Sequence, residues 1–303
     1  MDLLWWLEGV RTPFFDTVFS LITRFGEEMS LIAIFCVLFW CINKKMAYVV
    51  GYSFFLSGLV VQGMKTSFRV PRPWVYDPTF EPVGGSINAS TGYAFPSGHT
   101  QTAAALLGAI GIGLKQKWAK IILYLLVFLV AFSRLYLGVH YLEDVVVSLV
   151  ITFVVILIAN KVISDQPTSK KKQFILSAFM ILCAVVVIIY ATYLYHTDVT
   201  VSSQLRDSTR VAGAAIGFAI GMYVEQLYIQ FSTKSKNILL QVLKLMLGLV
   251  GMIAIQEGFR LIGTGLVMDA IRYFLVVMWA TIIYPLIIKK YFETPPSQTD
   301  LWL

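Results

Sequence analysis

SRLYLGVHYLEDVVVSLVITFVVILIAN, residues 133–160, carries the two properties on which the reading of this chain turns. From Val145 to Ala159 the only polar side chains are the hydroxyls of Ser148 and Thr152, and the run over 141–160 is long enough for a helix to cross the hydrocarbon core of a bilayer. Around its start stand Arg134, His140, Glu143 and Asp144, groups that are costly at membrane depth unless they are paired or used.

Apolar runs recur outward from this one, at 28–43, 46–66, 97–114, 118–137, 174–195, 211–231, 238–256 and 271–288. They predict an all-α polytopic membrane protein, a helical bundle of about nine spans. The first run is short and the run over 238–256 carries Lys244. Composition agrees: 58% of the residues are hydrophobic and 14% charged, against about 25% charged in a soluble domain. The three cysteines, Cys36, Cys41 and Cys183, sit inside apolar runs with no paired spacing, which points to neither a disulfide nor a metal site. The N-terminus has no basic leader or small-residue cleavage site, so insertion is expected to start from an internal span.

Three parts are expected. Residues 1–27 mix Trp5, Trp6, Phe14, Phe15 and Phe19 with Glu8, Arg11 and Asp16, which suits an amphipathic helix lying in the interface. Residues 28–195 form the membrane core, and 196–303 a C-terminal transmembrane extension. The stretch 161–173, with Pro167 and Lys170 to Lys172, reads as a hinge between them. The loop 67–96, rich in Pro and Gly, is long enough to be functional.

Lysines gather in alternate loops, at 44–45, 115–120, 161–172, 234–244 and 289–290, so this face is expected to be cytoplasmic. The formal net charge of +7 is then membrane topology, and no nucleic-acid partner is expected.

The opposite face holds three polar clusters. Lys65 closes a span, and Arg72 follows between Pro71 and Pro73, which stop the helix and fix the backbone. Two cations can converge there on one anion, although an isolated Lys or Arg at a helix end more often snorkels to headgroups, the reading left for Arg69. Pro96, Ser97, Gly98 and His99 open a small-residue helix whose N-terminal N–H groups suit an anion, with Ser97 a natural cap and Gly98 permitting close approach. His140 and Asp144 stand one helical turn apart, so the carboxylate can fix the imidazole tautomer and leave the other nitrogen's lone pair free to attack. Arg134 adds a planar fork for phosphate oxygens, and Glu143 reads as a solvated charge.

Together these stretches resemble the signature of the type-2 phosphatidic acid phosphatase family, related to bacterial acid phosphatases and vanadium haloperoxidases. Its pattern is Lys, six residues, Arg-Pro; then Pro-Ser-Gly-His; then Ser-Arg, five residues, His, three residues, Asp. Lys65, Arg72, Pro73, Pro96, Ser97, Gly98, His99, Ser133, Arg134, His140 and Asp144 meet it in order. The match covers roughly 46–160 and leaves the last hundred residues unassigned.

The resemblance implies that His140 attacks phosphorus to give a phosphohistidine, that Asp144 orients it, and that His99 protonates the leaving oxygen and later activates water. Lys65, Arg72, Arg134, Ser97 and Gly98 would hold the phosphoryl oxygens, and no metal or other cofactor is implied. It further implies a membrane phosphatase acting on a lipid phosphate or polyprenyl diphosphate, and with the lysine-rich face cytoplasmic the protein is expected in a bacterial plasma membrane with its site facing outside. The alternatives are phosphotransfer to another acceptor, or a transporter or lipid-binding protein of the same fold, which would have no need of both histidines. Family members usually have three spans ahead of the Lys-Arg segment, where two and an interfacial helix are read here. In the extension, Glu225 is expected either to act or to bond a neighbouring helix, and His196, Asp198, Arg206, Asp207 and Arg210 to form a loop on the catalytic face, for which contact with a headgroup is the lesser alternative.

Overall fold

The computed structural model describes residues 1–87, 90–164, 169–263 and 265–292. Among them the regular structure is all helical. Two short helices, α1 (Asp2–Gly9) and α2 (Pro13–Ile22), stand where one interfacial helix was expected. The break is local: Thr12 is extended and caps α2 through its hydroxyl, and Pro13 takes the first helical position, where a missing N–H costs nothing. A tight turn over Thr23–Gly26 leads to α3 (Glu28–Ile42), bent by 52° from the segment Pro13–Gly26.

The remaining helices are α4 (Lys44–Phe68), α5 (Pro73–Tyr76), α6 (98–113), α7 (Lys117–Tyr136), α8 (Leu142–Ser164), α9 (Lys170–His196), α10 (Ser202–Ile229), α11 (Ile238–Ile262) and α12 (Leu266–Tyr291). Among the described residues seven segments are long and apolar enough to cross a membrane, or eight if the bent pair is one span, where nine were expected. The run over 97–114 enters neither count, since α6 is built of stretches of 6, 5 and 5 residues, and the run over 28–43 enters only as part of the bent pair. At 1.5 Å per residue α6 reaches about 24 Å, short of a hydrocarbon core of about 30 Å. Of the expected hinge, Pro167 lies outside the described residues, and Lys170 to Lys172 form the first turn of α9 behind a Ser169 cap.

Chain direction brings the end of α4, the start of α6, the end of α7 and the start of α8 to one end of the bundle. The other end gathers Lys44, Glu225 and Lys289. Lys44 Nζ donates to Glu225 Oε1 at 2.7 Å and to the Phe231 carbonyl at 2.5 Å, while the Tyr48 hydroxyl donates to the second carboxylate oxygen. Glu225 is therefore a buried pin between α10 and α4, at the end remote from the histidines.

The extension is packed into the bundle. Gly213, Gly217 and Gly221 line the face of α10 against α12: a Cβ at Gly213 would lie 2.6 Å from the Ala270 carbonyl, and one at Gly217 2.9 Å from that of Phe274. Small residues at this spacing let two backbones touch, and close packing is what holds helices together where apolar burial gives no net drive. On its other side α10 meets the core, where Ser177 Oγ of α9 donates to the Ala219 carbonyl at 2.8 Å and Phe218 fills the space left by Gly51 of α4.

Candidate active site

The site is assembled at the helix ends. His140 lies in the short connection between α7 and α8, and its ring is clamped on both nitrogens. Nδ1 is 3.0 Å from Asp144 Oδ2, and Nε2 is 2.8 Å from Arg72 Nη1. A guanidinium only donates, so Nε2 must accept and Nδ1 must carry the proton. Asp144 Oδ2 also accepts the Tyr141 N–H at 2.8 Å, which fixes the carboxylate at the start of α8. The tautomer expected for a nucleophilic Nε2 is thus set twice.

Three buried cations surround this pair. Lys65, in the last turn of α4, donates to the Tyr93 carbonyl. Arg72 donates to the carbonyls of Gly92 (3.2 Å), Thr91 (2.7 Å) and Val139 (2.9 Å). Arg134, in the last turn of α7, donates to Thr23 Oγ1 (2.8 Å) and Ser90 Oγ (3.1 Å), leaving its Nε buried without a partner. Main-chain carbonyls, which bear no formal charge, supply most of the acceptors. The cluster keeps an excess of positive charge.

Ser97 Oγ caps α6 by accepting the Thr100 N–H at 3.4 Å and the Thr100 hydroxyl at 3.0 Å. Its own N–H donates to the Asp144 carbonyl at 3.0 Å, and its carbonyl accepts from Ser148 Oγ at 2.6 Å, which locks α6 to α8. A Cβ added at Gly98 would meet nothing within 4 Å, so open space lies in front of the first turn. His99 follows, with Nε2 buried and unpartnered. Its carbonyl lies 2.7 Å from where a Cβ of Gly26 would sit, so the turn before α3 packs directly on this turn of α6. Burial, then Arg134, Arg72 and Lys65, lowers the His99 pKa well below the ordinary imidazole value. Burial, then Arg72, Arg134 and Lys65, does the same to His140.

The structure therefore brings Lys65, Arg72, Ser97, Gly98, His99, Arg134, His140 and Asp144 to one end of the bundle. Ser133 is buried beside them with its hydroxyl on the Val130 carbonyl at 2.6 Å. Arg69 stands apart, a left-handed cap on α4 whose guanidinium returns to the Thr66 carbonyl at 3.1 Å, and Glu143 is exposed. Thr23, Ser90 and the carbonyls of Thr91, Gly92 and Tyr93 were not legible in the sequence, because backbone acceptors leave no residue-type signal. Among the described residues no group of three or more His, Cys, Asp or Glu side chains is arranged to hold a metal ion.

Helices that cross a bilayer, closed at one end by histidines, a carboxylate and three cations, define an integral membrane protein with an anion-directed site. The chain carries a PAP2 superfamily domain with a transmembrane extension: residues 46–168 match that superfamily's domain, and 209–293 match the transmembrane extension of its phosphatases. Every motif position from Lys65 to Asp144 falls inside the first match. The chain is 28% identical over 158 residues to the lipid A 4'-phosphatase of Porphyromonas gingivalis, covering 49% of this chain and 66% of that one. It is 31% identical over 147 residues to a dihydrosphingosine 1-phosphate phosphatase of Saccharomyces cerevisiae, covering 44% and 35%. The chain thus spans less than two thirds of either relative. The crystal structure of Aquifex aeolicus LpxE aligns with 53% of this chain and 93% of that one, at 26% identity and a TM-score of 0.48.

Proposed function

We propose that the protein is a membrane phosphatase that hydrolyses a lipid phosphate monoester or polyprenyl diphosphate through a phosphohistidine on His140, at the extracytoplasmic face. The observation that carries this reading is the double clamp on the His140 ring, which leaves Nε2 as an acceptor among three cations. Both curated relatives named above are phosphatases of phosphorylated lipids, and a lipid held in the bilayer reaches a site at the helix ends directly.

Arg72 Nη1 moves from Nε2 to a phosphoryl oxygen as the substrate enters, freeing the lone pair. Nε2 then bonds to phosphorus as the bond to the leaving oxygen breaks, and His99 gives that oxygen its proton. Water next attacks phosphorus, His99 takes the water's proton, and the phosphorus–nitrogen bond breaks to return neutral His140. The arriving phosphate charge opposes the three cations and so raises the His99 pKa at the moment when a proton is needed there. Lys65, Arg72, Arg134 and the N–H groups opening α6 hold the charge of the five-coordinate phosphorus, so the chain itself supplies what a metal would otherwise provide.

The test is release of free phosphate by the purified protein from a panel of lipid phosphates in mixed micelles, with the His140→Ala variant alongside. Alkaline quenching with labelled substrate should find acid-labile phosphate on the peptide containing His140. Release from none of the lipids, with label transferred to a second lipid, would replace hydrolysis by phosphotransfer.

A further inference from the structure

A second polar feature lies beside the phosphoryl site, and the extension builds it. A cavity of about 250 Å³ is lined by Thr91, Ser202, Ser203, Arg206, Asp207 and Arg210. Thr91 belongs to both places. Its carbonyl accepts from Arg72 Nη2 at 2.7 Å, and its hydroxyl donates to Asp207 Oδ2 at 2.9 Å, so one residue separates this cavity from the cation that touches His140.

The charges around the cavity are unequally engaged. Asp269 Oδ2 takes Arg210 through Nη2 at 2.8 Å and Nε at 3.1 Å, and Oδ1 takes Arg272 at 2.8 Å. Arg210 and Arg272 also lie over the Tyr273 ring. With Asp269 filled in this way, Arg206 is left with a contact of 3.6 Å to the same oxygen, and half of its side chain is exposed. Glu28 lies within electrostatic reach of Asp207 and Arg210, so three arginines meet three acids here, and Arg206 is the arginine whose fork makes no hydrogen bond to a carboxylate among the described residues. The first turn of α10 points the same way. Its cap is Val201, which has no side-chain acceptor, and Ser202 and Ser203 bring two hydroxyls beside the helix's unpaired N–H groups.

We infer that Arg206, with Ser202, Ser203 and the first turn of α10, forms a second anion subsite that takes a second anionic group of the substrate, a phosphate or phosphodiester on the headgroup. This rests on the reading of Lys65, Arg72 and Arg134 as the phosphoryl site. Asp207 and Arg210 belong to the framework, Asp207 holding Thr91 and Arg210 holding Asp269. The loop expected here is short, since His196 ends α9 and Arg206, Asp207 and Arg210 lie in α10, and His196 and Asp198 do not line the cavity. The substrate class is thereby narrowed to lipids carrying a second negative group close to the scissile phosphate, and the extension becomes a specificity element.

The test compares two lipids in the full-length protein: phosphatidic acid, and phosphatidylglycerol phosphate, which adds a phosphodiester. In Arg206→Ala the ratio of kcat/KM for the doubly charged lipid to that for the singly charged one should fall about tenfold, carried by KM, the size expected for one charge-assisted hydrogen bond. Equal ratios in the two proteins, or an effect seen only when inorganic phosphate is added, the mark of a free anion in the cavity, would overturn the subsite. A binding arm is independent of turnover. In His140→Ala, titration calorimetry with the bisphosphate and the monophosphate of a short diol should show tighter binding of the bisphosphate, and the further change Arg206→Ala should remove the difference. Equal affinities in His140→Ala would refute the inference even if neither lipid is hydrolysed, an outcome that would refute the proposed activity instead.

Discussion

Asp144→Asn separates the two tasks of the carboxylate, because one oxygen performs both. Oδ2 accepts from His140 Nδ1 at 3.0 Å and from the Tyr141 N–H at 2.8 Å. In the variant the amide oxygen has to occupy that position, since the Tyr141 N–H must keep an acceptor and an amide nitrogen there would place two donors face to face. His140 then retains its Nδ1–H tautomer and an acceptor Nε2. What is lost is the negative charge that, in the proposed mechanism, stabilises the imidazole as it becomes bonded to phosphorus. Replacing a charged acceptor by a neutral one costs the difference between a bond worth about 1.5–3 kcal/mol and one worth about 0.5–1.5 kcal/mol, about 1–1.5 kcal/mol or about 5- to 13-fold in kcat. An inverted tautomer costs far more, about 10⁴-fold in a comparable buried pair. Initial rates of phosphate release from a saturating lipid substrate measure the loss, and nitrogen chemical shifts of His140 report the tautomer. A fall of about 10⁴, or a change of tautomer, would refute the argument from the shared oxygen.

Further outcomes follow from the same geometry. His140→Ala should be inactive on every substrate, while His99→Ala should keep measurable turnover of an aryl phosphate, whose leaving oxygen needs no proton; label on the His99 peptide after quenching would reverse the assignment. In the proposed mechanism protonated His140 cannot attack, so activity should fall as pH drops, and because its pKa is lowered the acid limb of kcat/KM should lie below the ordinary value of about 6.5. A limb centred above that value would contradict the environment described. Glu225→Ala leaves Lys44 and Tyr48 without their buried acceptor and should lower stability by about 3–5 kcal/mol in a denaturation assay, with kcat of the folded fraction unchanged. Cysteine in place of Thr79 should react with an impermeant maleimide in intact cells and cysteine in place of Ser169 should not; the reverse pattern would invert the orientation.

The sequence made legible what depends on residue type at short range. The His140–Asp144 pair is only four residues apart and the cap at Ser97 only three, so short-range spacing brings them together, although His140 lies in the connection before α8 and not on one helix face with Asp144 as expected. Length was read well where runs were long and apolar, and less well at 97–114, where Ala and Gly satisfy a hydropathy count while giving a helix too short to span by the same measure. The N-terminal break failed because Pro13 suits an interfacial helix as well as a first helical turn. Contacts between distant segments left no local trace. Thr91 and Asp207 meet across 116 residues, and the loop carbonyls that hold Arg72 could be carried by any residue type. The glycines of α10 read as part of an apolar run, while their role is set by Ala270 and Phe274 of a helix two further along.

On the proposed hydrolysis of a lipid phosphate, the carbonyls of Thr91, Gly92 and Tyr93 bear on product release as well as on structure. A site of three buried cations, left to itself, would grip inorganic phosphate and stall after each cycle. Here Lys65 and Arg72 already have acceptors, so a bound phosphate must compete with oxygens that never leave. Each contact a departing phosphate gives up is matched by one the loop can remake, and the barrier to product escape falls accordingly. The same exchange weakens the substrate's ground-state binding through its phosphate, and the lipid tail, which the bilayer already holds, can bear that loss.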